Sequence, residues 1–476
     1  MFYTKQDTTD TKFNEKNDLY SNNGYLLVEP INISSGSDWA NYPFITGNGS
    51  ASNPYIIENV EIIGDGVKTV ESGNDTLLDI WDFGIYINAG GSFIIRNSKI
   101  SNTSIGIRVS LGASSGMHLI SNVEIGDCSI GFASYWIQAD LNISNCYIHD
   151  CNWVSITSKI DFNSYFDYGG VGLWIRSAGS IIENCRIEDC SVGMVAGLVQ
   201  EIHNNELINC GIVPDWQRIF NTNYGNSNTV NGKPIGIFLG IDNWVVTNAS
   251  LYGQLIFVAC SNLTLSDVHI TEPCSIAIQV WSNPIIDQEN IFKNIICENQ
   301  KLGIYFAGGN ILGDNLYAKN CEAGFYFLDI RKCEFTRVMT DNTEVPIYMT
   351  SRINDCTFEI ENSTKFYLVD FRAWYGDTLQ IEPGDGITMS YLTELGMPGY
   401  AVQFNELGTY KLNLTTLSLS QSLFTVKSVP RITRPGNGVS PGGLDPGVVM
   451  FIAGSSIIGG IAVIVIAYLF FKKRKT

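Results

Sequence analysis

Between Asn97 and Cys210 the same pattern of hydrophobic and polar residues recurs five times. In each copy an asparagine is followed three residues later by an aliphatic residue and six residues later by cysteine or threonine. The copies begin at Asn97, Asn122, Asn145, Asn184 and Asn204. Apart from two long insertions, the period is about 20 to 25 residues, which is typical of a solenoid of stacked repeats.

Within each copy the apolar residues alternate with other residues and do not recur at helical spacing. The run Gly84-Ile85-Tyr86-Ile87 is one example. Alternation with a period of two predicts short β-strands. Because no single turn of such strands buries its own apolar face, consecutive turns must stack on one another. The pattern therefore predicts an all-β fold, a parallel β-helix in which equivalent residues form files along the stack.

The repeated asparagine has a physical reason in such a fold. Asparagine tolerates the left-handed backbone conformation that a sharp corner requires. Its side-chain amide also hydrogen-bonds to the same group on the next turn when the turns are in register. The five asparagines are therefore predicted to form one file.

Two stretches near the amino-terminal end resemble a known family. They are Gly47–Ser50, with the sequence GNGS, and Asn53–Asn59, with the sequence NPYIIEN, and the repeats described above follow them. The combination resembles the NosD-like, CASH-type right-handed β-helix proteins, and archaeal cell-surface members in particular. The resemblance covers roughly residues 30–360. It implies a right-handed parallel β-helix, while the activity stays open because the family includes both carbohydrate binders and sugar hydrolases.

Composition changes along the chain and predicts six segments. These are a disordered amino-terminal segment 1–23, the β-helix with its entry cap 24–365, an exit cap or small β module 366–430, a flexible Pro/Gly-rich stalk 431–447, a transmembrane helix 448–471 and a basic cytoplasmic tail 472–476.

The predicted transmembrane helix, Val448–Phe471, contains no charged residue and is followed by Lys472–Lys475. A segment of this length spans a bilayer, and its basic flank is expected to stay in the cytoplasm. We therefore predict a single-pass protein of the cell membrane with its large domain outside the cell. A tail-anchored protein with the β-helix in the cytosol is the alternative. Small residues four apart, such as Ser455 and Gly459, indicate a possible homodimer through this helix.

The net charge excludes one class of partner, and the cysteine positions indicate what occupies the core. The formal net charge is −18, which argues against nucleic acid because phosphate binding needs clustered Lys and Arg. Five of the twelve cysteines fall at the repeated cysteine position: Cys128, Cys151, Cys190, Cys210 and Cys321. We interpret them as small buried residues stacked in register, with disulfides between adjacent turns as the open alternative.

Acidic residues precede the repeated cysteine on several turns. Asp127, Asp150 and Asp189 would lie about 5 Å apart, a spacing at which carboxylates repel unless a cation bridges them or they extend into water. Ca²⁺ accepts several oxygen ligands in flexible geometry. We therefore predict a weak Ca²⁺ site at these three residues, with solvated corner residues as the alternative.

A second file, two residues after the turn glycine, is predicted by alternation to point outward. It contains Trp174, and on three consecutive turns it contains Tyr305, Tyr326 and Tyr348. Stacked aromatic rings on an open face suit the C–H faces of sugars, so these four residues are the predicted glycan-binding residues. Structural stacking between strands, or cover by the carboxy-terminal module, is the alternative interpretation.

The sequence gives weaker support for catalysis than for glycan binding. Hydrolysis of a glycosidic bond needs two carboxylates held across it, and Asp161 and Asp167 in the first insertion are the best pair. The Asn-Thr-Asp, Gly-His-Gly and Arg-Ile-Lys signatures of the family's pectin hydrolases do not occur in the chain. A lyase would use Ca²⁺ with a basic residue, for which Arg108 and Arg186 are candidates. The sequence thus favours a carbohydrate-binding or structural surface protein, with a polysaccharide lyase or glycoside hydrolase as the alternative.

Overall fold

The computed structural model describes residues 24–72, 75–110, 116–137, 140–152, 169–214, 219–247, 249–282, 288–354, 356–361, 365–369, 380–382, 387–391, 399–404, 408–415 and 419–426. The predicted stalk, transmembrane helix and cytoplasmic tail lie outside these residues, as does the amino-terminal segment 1–23. No helix within the described ranges is long and apolar enough to cross a membrane.

The chain is a right-handed parallel β-helix. Its first part has two parallel faces. Face A consists of Leu26–Leu27, Tyr55–Glu58, Val60–Ile63, Phe93–Ser101, Met117–Gly126, Asp140–Ser144, Tyr147–His149, Ile181–Glu183, Arg186–Glu188, Glu201–His203, Glu206–Ile208, Asn223–Tyr224 and Thr229–Val230. Face B consists of Ile31–Ile33, Phe83–Ile87, Ile105–Val109, Ile130–Ile137, Val171–Ser177, Val192–Gly197 and Ile212–Pro214.

The second part again has two faces. The parallel strands of face C are Lys233–Leu239, Gln254–Val258, Ile276–Trp281, Leu302–Gly309, Ala323–Arg331, Val345–Asn354 and Lys365–Val369. Face D contains Asp242–Val246, Ser261–Ile270, Asn290–Glu298, Ile311–Lys319, Glu334–Asp341, Thr357–Glu361 and Leu419–Val426. Other short elements are a hairpin, Thr69–Ser72 with Asp75–Leu78, and 3₁₀ turns at Asp38–Asn41, Ile219–Asn221 and Ala249–Leu251.

The predicted asparagine file is confirmed. Strand register places Asn97 beside Asn122, and it places Asn145, Asn184 and Asn204 on the turns that follow. All five have the left-handed backbone conformation, with φ between 48° and 56°. The Asn122 amide donates to Asn97 Oδ1 at 3.3 Å. The corner conformation therefore selects asparagine, and the stacking adds a hydrogen bond between turns.

The interior of the stack is apolar and continuous, and all twelve cysteines are buried in it as free thiols. The cysteines predicted to stack in register do so, because the strand register of face A aligns Cys128, Cys151, Cys190 and Cys210 on successive turns. The interpretation of these residues as small buried side chains is thus confirmed for this structure, which contains the reduced form.

Between its two parts the chain reverses the direction of strand pairing, which the sequence analysis did not foresee. Thr229–Val230 pairs with Lys233–Leu239 in antiparallel register, and Val230 faces Lys233. The two residues between them, Asn231 and Gly232, have φ of 50° and 77°. Two positive φ values in a two-residue loop are typical of a type I′ hairpin, and Asn-Gly is its preferred sequence. The chain therefore enters its second part through a hairpin.

Buried glutamine side chains take the place of a strand at this junction. Gln254 Oε1 accepts from the Ile212 amide at 2.9 Å, and Gln254 Nε2 donates to the carbonyls of Ile212 at 2.9 Å and Ile276 at 2.8 Å. Gln279 Nε2 also donates to the Ile212 carbonyl, at 2.8 Å. Because buried backbone groups need partners, these side chains satisfy the edge at which face B ends.

Antiparallel pairing appears in the part of the chain predicted as an exit cap or small β module. Gly399–Phe404 pairs with both Lys365–Val369 and Ile387–Tyr391, and Gly408–Thr415 pairs with Gln380–Glu382 and Leu419–Val426. Leu419–Val426 also pairs in parallel with Thr357–Glu361 of face D. The exact bounds of this segment stay a prediction.

His118 gives the fold a testable dependence on acid. Its side chain is fully buried and stacks on Phe93 at a centroid distance of 4.4 Å, and neither ring nitrogen has a hydrogen-bond partner among the described residues. Burial lowers the pKa of His118 from 6.5 to about 4. The folded chain therefore binds fewer protons than the unfolded chain between these values, and stability falls as the pH drops below 6.5.

We expect the variant His118→Phe to lose less stability in acid than the wild type. The phenyl ring introduced by the substitution keeps the stacking on Phe93 but takes up no proton. The measurement compares the free energy of unfolding of both proteins at pH 7 and near pH 4. Between these two pH values, the difference in free energy of unfolding between variant and wild type should shift by about 2 kcal/mol in favour of the variant. A gap that is the same at both pH values would contradict a buried neutral His118.

Candidate functional site

The predicted tyrosine file exists, but it is not exposed. Tyr305, Tyr326 and Tyr348 stand in register on consecutive turns of face C. Their rings lie 5.0 Å and 4.8 Å apart, and their exposed fractions are only 2%, 1% and 0%. Trp174 on face B is equally buried, at 3%. The prediction of an open aromatic platform at these four residues is therefore wrong, although their role toward a ligand is not itself tested.

The physical reason is that the outer sides of faces B and C carry a second hydrophobic cluster. Alternation was right that these side chains leave the interior of the β-helix, because they belong to a cluster separate from the main core. It contains Ile105, Ile130, Val171, Trp174, Val192, Ile276, Leu302, Tyr305, Tyr326 and Tyr348, among others. Alternation identifies the side of a strand but not whether that side meets water.

The predicted calcium ligands are corner residues in register on successive turns. Asp127, Asp150 and Asp189 have φ of 52°, 55° and 51°, so they occupy the same left-handed conformation as the asparagines. Asp150 contacts His149 Nδ1 at 2.7 Å, and Asp189 accepts from Asn209 at 2.8 Å. Within the described ranges no three His, Cys, Asp or Glu residues are grouped to hold a metal ion. Calcium binding stays a prediction.

The predicted catalytic pair, Asp161 and Asp167, lies outside the described residues. Two acids do converge beside a base elsewhere, on the outer side of face A. Arg186 contacts Glu188 Oε2 at 2.9 Å and Glu206 Oε2 at 3.1 Å, and Tyr147 donates to Glu188 at 3.0 Å. The hydrogen bond that Arg186 donates to Glu188 raises the pKa of Arg186. These charges neutralise one another on a partly exposed strand surface.

Among the described residues, the aromatic side chain with the largest exposed fraction is Trp81, which the sequence analysis missed. Trp81 precedes the face B strand Phe83–Ile87 and is 66% exposed. It stands at the tip of a turn in which Asp82 N donates to the Asp79 carbonyl at 3.2 Å. The Asp79 side chain accepts from the Trp81 amide at 3.0 Å, which fixes the turn in the manner of an Asx turn.

A guanidinium group supports the Trp81 ring. Arg108 Cζ lies 5.0 Å from the centroid of Trp81 and 5.5 Å from that of Tyr86, and Arg108 Nη1 donates to the Ile80 carbonyl at 2.7 Å. Burial lowers the pKa of Arg108, but a guanidinium stays charged at neutral pH. The cation–π contact orients the indole ring while leaving most of its surface in water.

Polar side chains surround the base of the same turn. Asp82 accepts from Lys68 Nζ at 2.8 Å and from the Ser104 amide at 2.8 Å. The hydrogen bond that Lys68 donates to Asp82 raises the pKa of Lys68. The turn is thus tied to the strand beside it, and Trp81 is presented on a rigid support with carboxylate and ammonium groups nearby. We call Trp81, Arg108, Tyr86 and Asp79 the Trp81 site.

The comparisons with known proteins agree with the fold. Residues 83–235 match the family model described as right handed beta helix region. A search of curated proteins and a search of solved structures found no match. The family model and the structure together define a parallel β-helix protein, a fold consistent with carbohydrate-binding and polysaccharide-acting proteins in general.

Proposed function

We propose that this chain is a glycan-binding β-helix protein, held at the outer surface of a cell membrane by the uncharged segment Val448–Phe471. The observation that carries the binding role is the exposed Trp81 ring on its Arg108 support. Sugar rings pack their C–H faces on such an indole, while nearby charged and polar groups take their hydroxyls. The resemblance to NosD-like surface proteins supports the same class of function.

The test is retention on a glycan array by the wild type and by Trp81→Ala. Removal of the ring deletes the apolar contact, and we expect retention of the bound glycans to fall by about tenfold or more. Phe220→Ala is the matched control, because Phe220 is also an exposed aromatic residue, at 50%. It should retain glycans as the wild type does. Equal retention by wild type and Trp81→Ala would refute the proposal.

A polysaccharide lyase or hydrolase is the second candidate, and it rests on Arg186 between Glu188 and Glu206. Two carboxylates beside a guanidinium cation suit acid–base chemistry by the carboxylates, with the cation stabilising developing negative charge. The test is the release of unsaturated uronides or reducing ends from a panel of polysaccharides by wild type and Arg186→Ala. Release that depends on Arg186 would establish an enzyme, whereas no release on any substrate would leave binding as the function.

A further inference from the structure

Two cysteines face each other on consecutive turns of face A. The register of Asp140–Ser144 with Ile181–Glu183 pairs Ser144 with Glu183, so Cys146 lies opposite Cys185 two residues later. Each is 2% exposed, and each thiol donates to a nearby backbone carbonyl, Cys146 Sγ to Ser144 and Cys185 Sγ to Glu183, both at 3.4 Å. Adjacent turns are about 4.8 Å apart, which is within the Cα separation that a disulfide requires.

These two thiols form an exclusive pair. In their file the neighbour of Cys146 on the preceding turn is Val123, and the neighbour of Cys185 on the following turn is Asn205. Asn205 Oδ1 accepts from the Cys185 amide at 2.9 Å, which confirms this register. The file of Cys128, Cys151, Cys190 and Cys210 is different, because its two middle members each have a thiol on both sides.

We propose that Cys146 and Cys185 are a redox modification site, at which a peroxide joins the two turns by a reversible disulfide. The sulfur of one cysteine attacks a peroxide oxygen, the O–O bond breaks, and a sulfenic acid and water form. The second thiol then attacks the sulfenic sulfur, the S–O bond breaks, and a second water leaves. Two thiols and one hydrogen peroxide thus give one disulfide and two waters.

The two thiols occupy equivalent positions on adjacent turns, so either sulfur can attack the peroxide first and the other then resolves the sulfenic acid. The pair is buried, so the reaction is slower than that of an exposed thiol. A peroxide is small enough to enter during local opening of a turn, which favours it over a bulky disulfide as the oxidant.

The test uses the full chain treated with hydrogen peroxide, followed by alkylation of remaining thiols under denaturing conditions and peptide mass spectrometry. We expect a linked peptide pair that contains Cys146 and Cys185, and its loss after treatment with dithiothreitol. The melting temperature of the oxidised protein should rise by roughly 5 °C, because the cross-link restricts the unfolded chain.

Cys146→Ser should abolish the linked peptide and reduce the thermal shift, while Cys260→Ser should keep both. Cys260 is also buried but has no thiol opposite it, since Asp242 pairs with Ser261 and Ile241 therefore faces Cys260. If Cys146→Ser does not fold, the linked peptide in wild type and in Cys260→Ser still shows whether Cys146 and Cys185 form a disulfide. Oxidation that yields no link between Cys146 and Cys185, or a link without reversal by dithiothreitol, would overturn the proposal.

Discussion

Gly131→Ala is expected to lower the free energy of unfolding by about 3 kcal/mol. A Cβ atom at Gly131 would stand 2.6 Å from the Gly172 carbonyl oxygen and 2.7 Å from Ile148 Cγ2. The oxygen belongs to the backbone of the next turn, which is fixed by the ladder of face B. The turns would have to separate, and the close packing between them would be lost.

Gly90→Ala is the matched control, because nothing lies within 4 Å of a Cβ built at Gly90. Urea denaturation of wild type and both variants gives the comparison. We expect Gly90→Ala to stay within about 0.5 kcal/mol of the wild type. A loss for Gly131→Ala that is no larger than for Gly90→Ala would mean that the turns are not packed as closely as described.

The second large effect is expected for Tyr326→Ala, which should cost about 4 kcal/mol of stability. The ring lies between Tyr305 and Tyr348, at centroid distances of 5.0 Å and 4.8 Å, and is 1% exposed. Truncation removes both contacts and leaves a cavity in the second hydrophobic cluster. Tyr326→Phe keeps the ring and should cost much less.

Tyr326 and Trp81 give opposite expectations, which makes them a useful pair. Trp81→Ala removes an exposed ring, so glycan retention should fall while the urea midpoint hardly changes. Tyr326→Ala should shift the midpoint strongly. If Tyr326→Ala instead kept full stability and lost glycan retention, the buried file would have to be a binding surface after all, and the assignment to the Trp81 site would be wrong.

The sequence predicted those features that follow from local conformation and repetition. Asn97 and Asn122 share a file because the left-handed corner recurs once a turn, and Asp127 takes the same conformation at its own corner. The reversal was also readable in principle, since Asn231-Gly232 between Val230 and Lys233 is a strong hairpin signal. It was missed because the stretch Val213–Pro234 reads as an inserted loop in the sequence.

The remaining features depend on contacts that repetition does not encode. The burial of Tyr348 depends on what packs against the outer side of face C, and alternation alone carries no such information. Trp81 lies between two strands, outside the repeated sequence pattern. Its only signal is a tryptophan placed among carboxylates, Asp79 and Asp82, just before a strand. Its support by Arg108 brings together residues from different turns.

The central proposal is that this β-helix binds a glycan at Trp81 without cleaving it. The most direct measurement incubates the polysaccharides retained on the array with wild type, Trp81→Ala and Arg186→Ala, and follows both bound polysaccharide and its chain length by size-exclusion chromatography. We predict binding by wild type and Arg186→Ala, little binding by Trp81→Ala, and unchanged chain length throughout. Shortened chains with the wild type, and intact chains with Arg186→Ala, would contradict the claim.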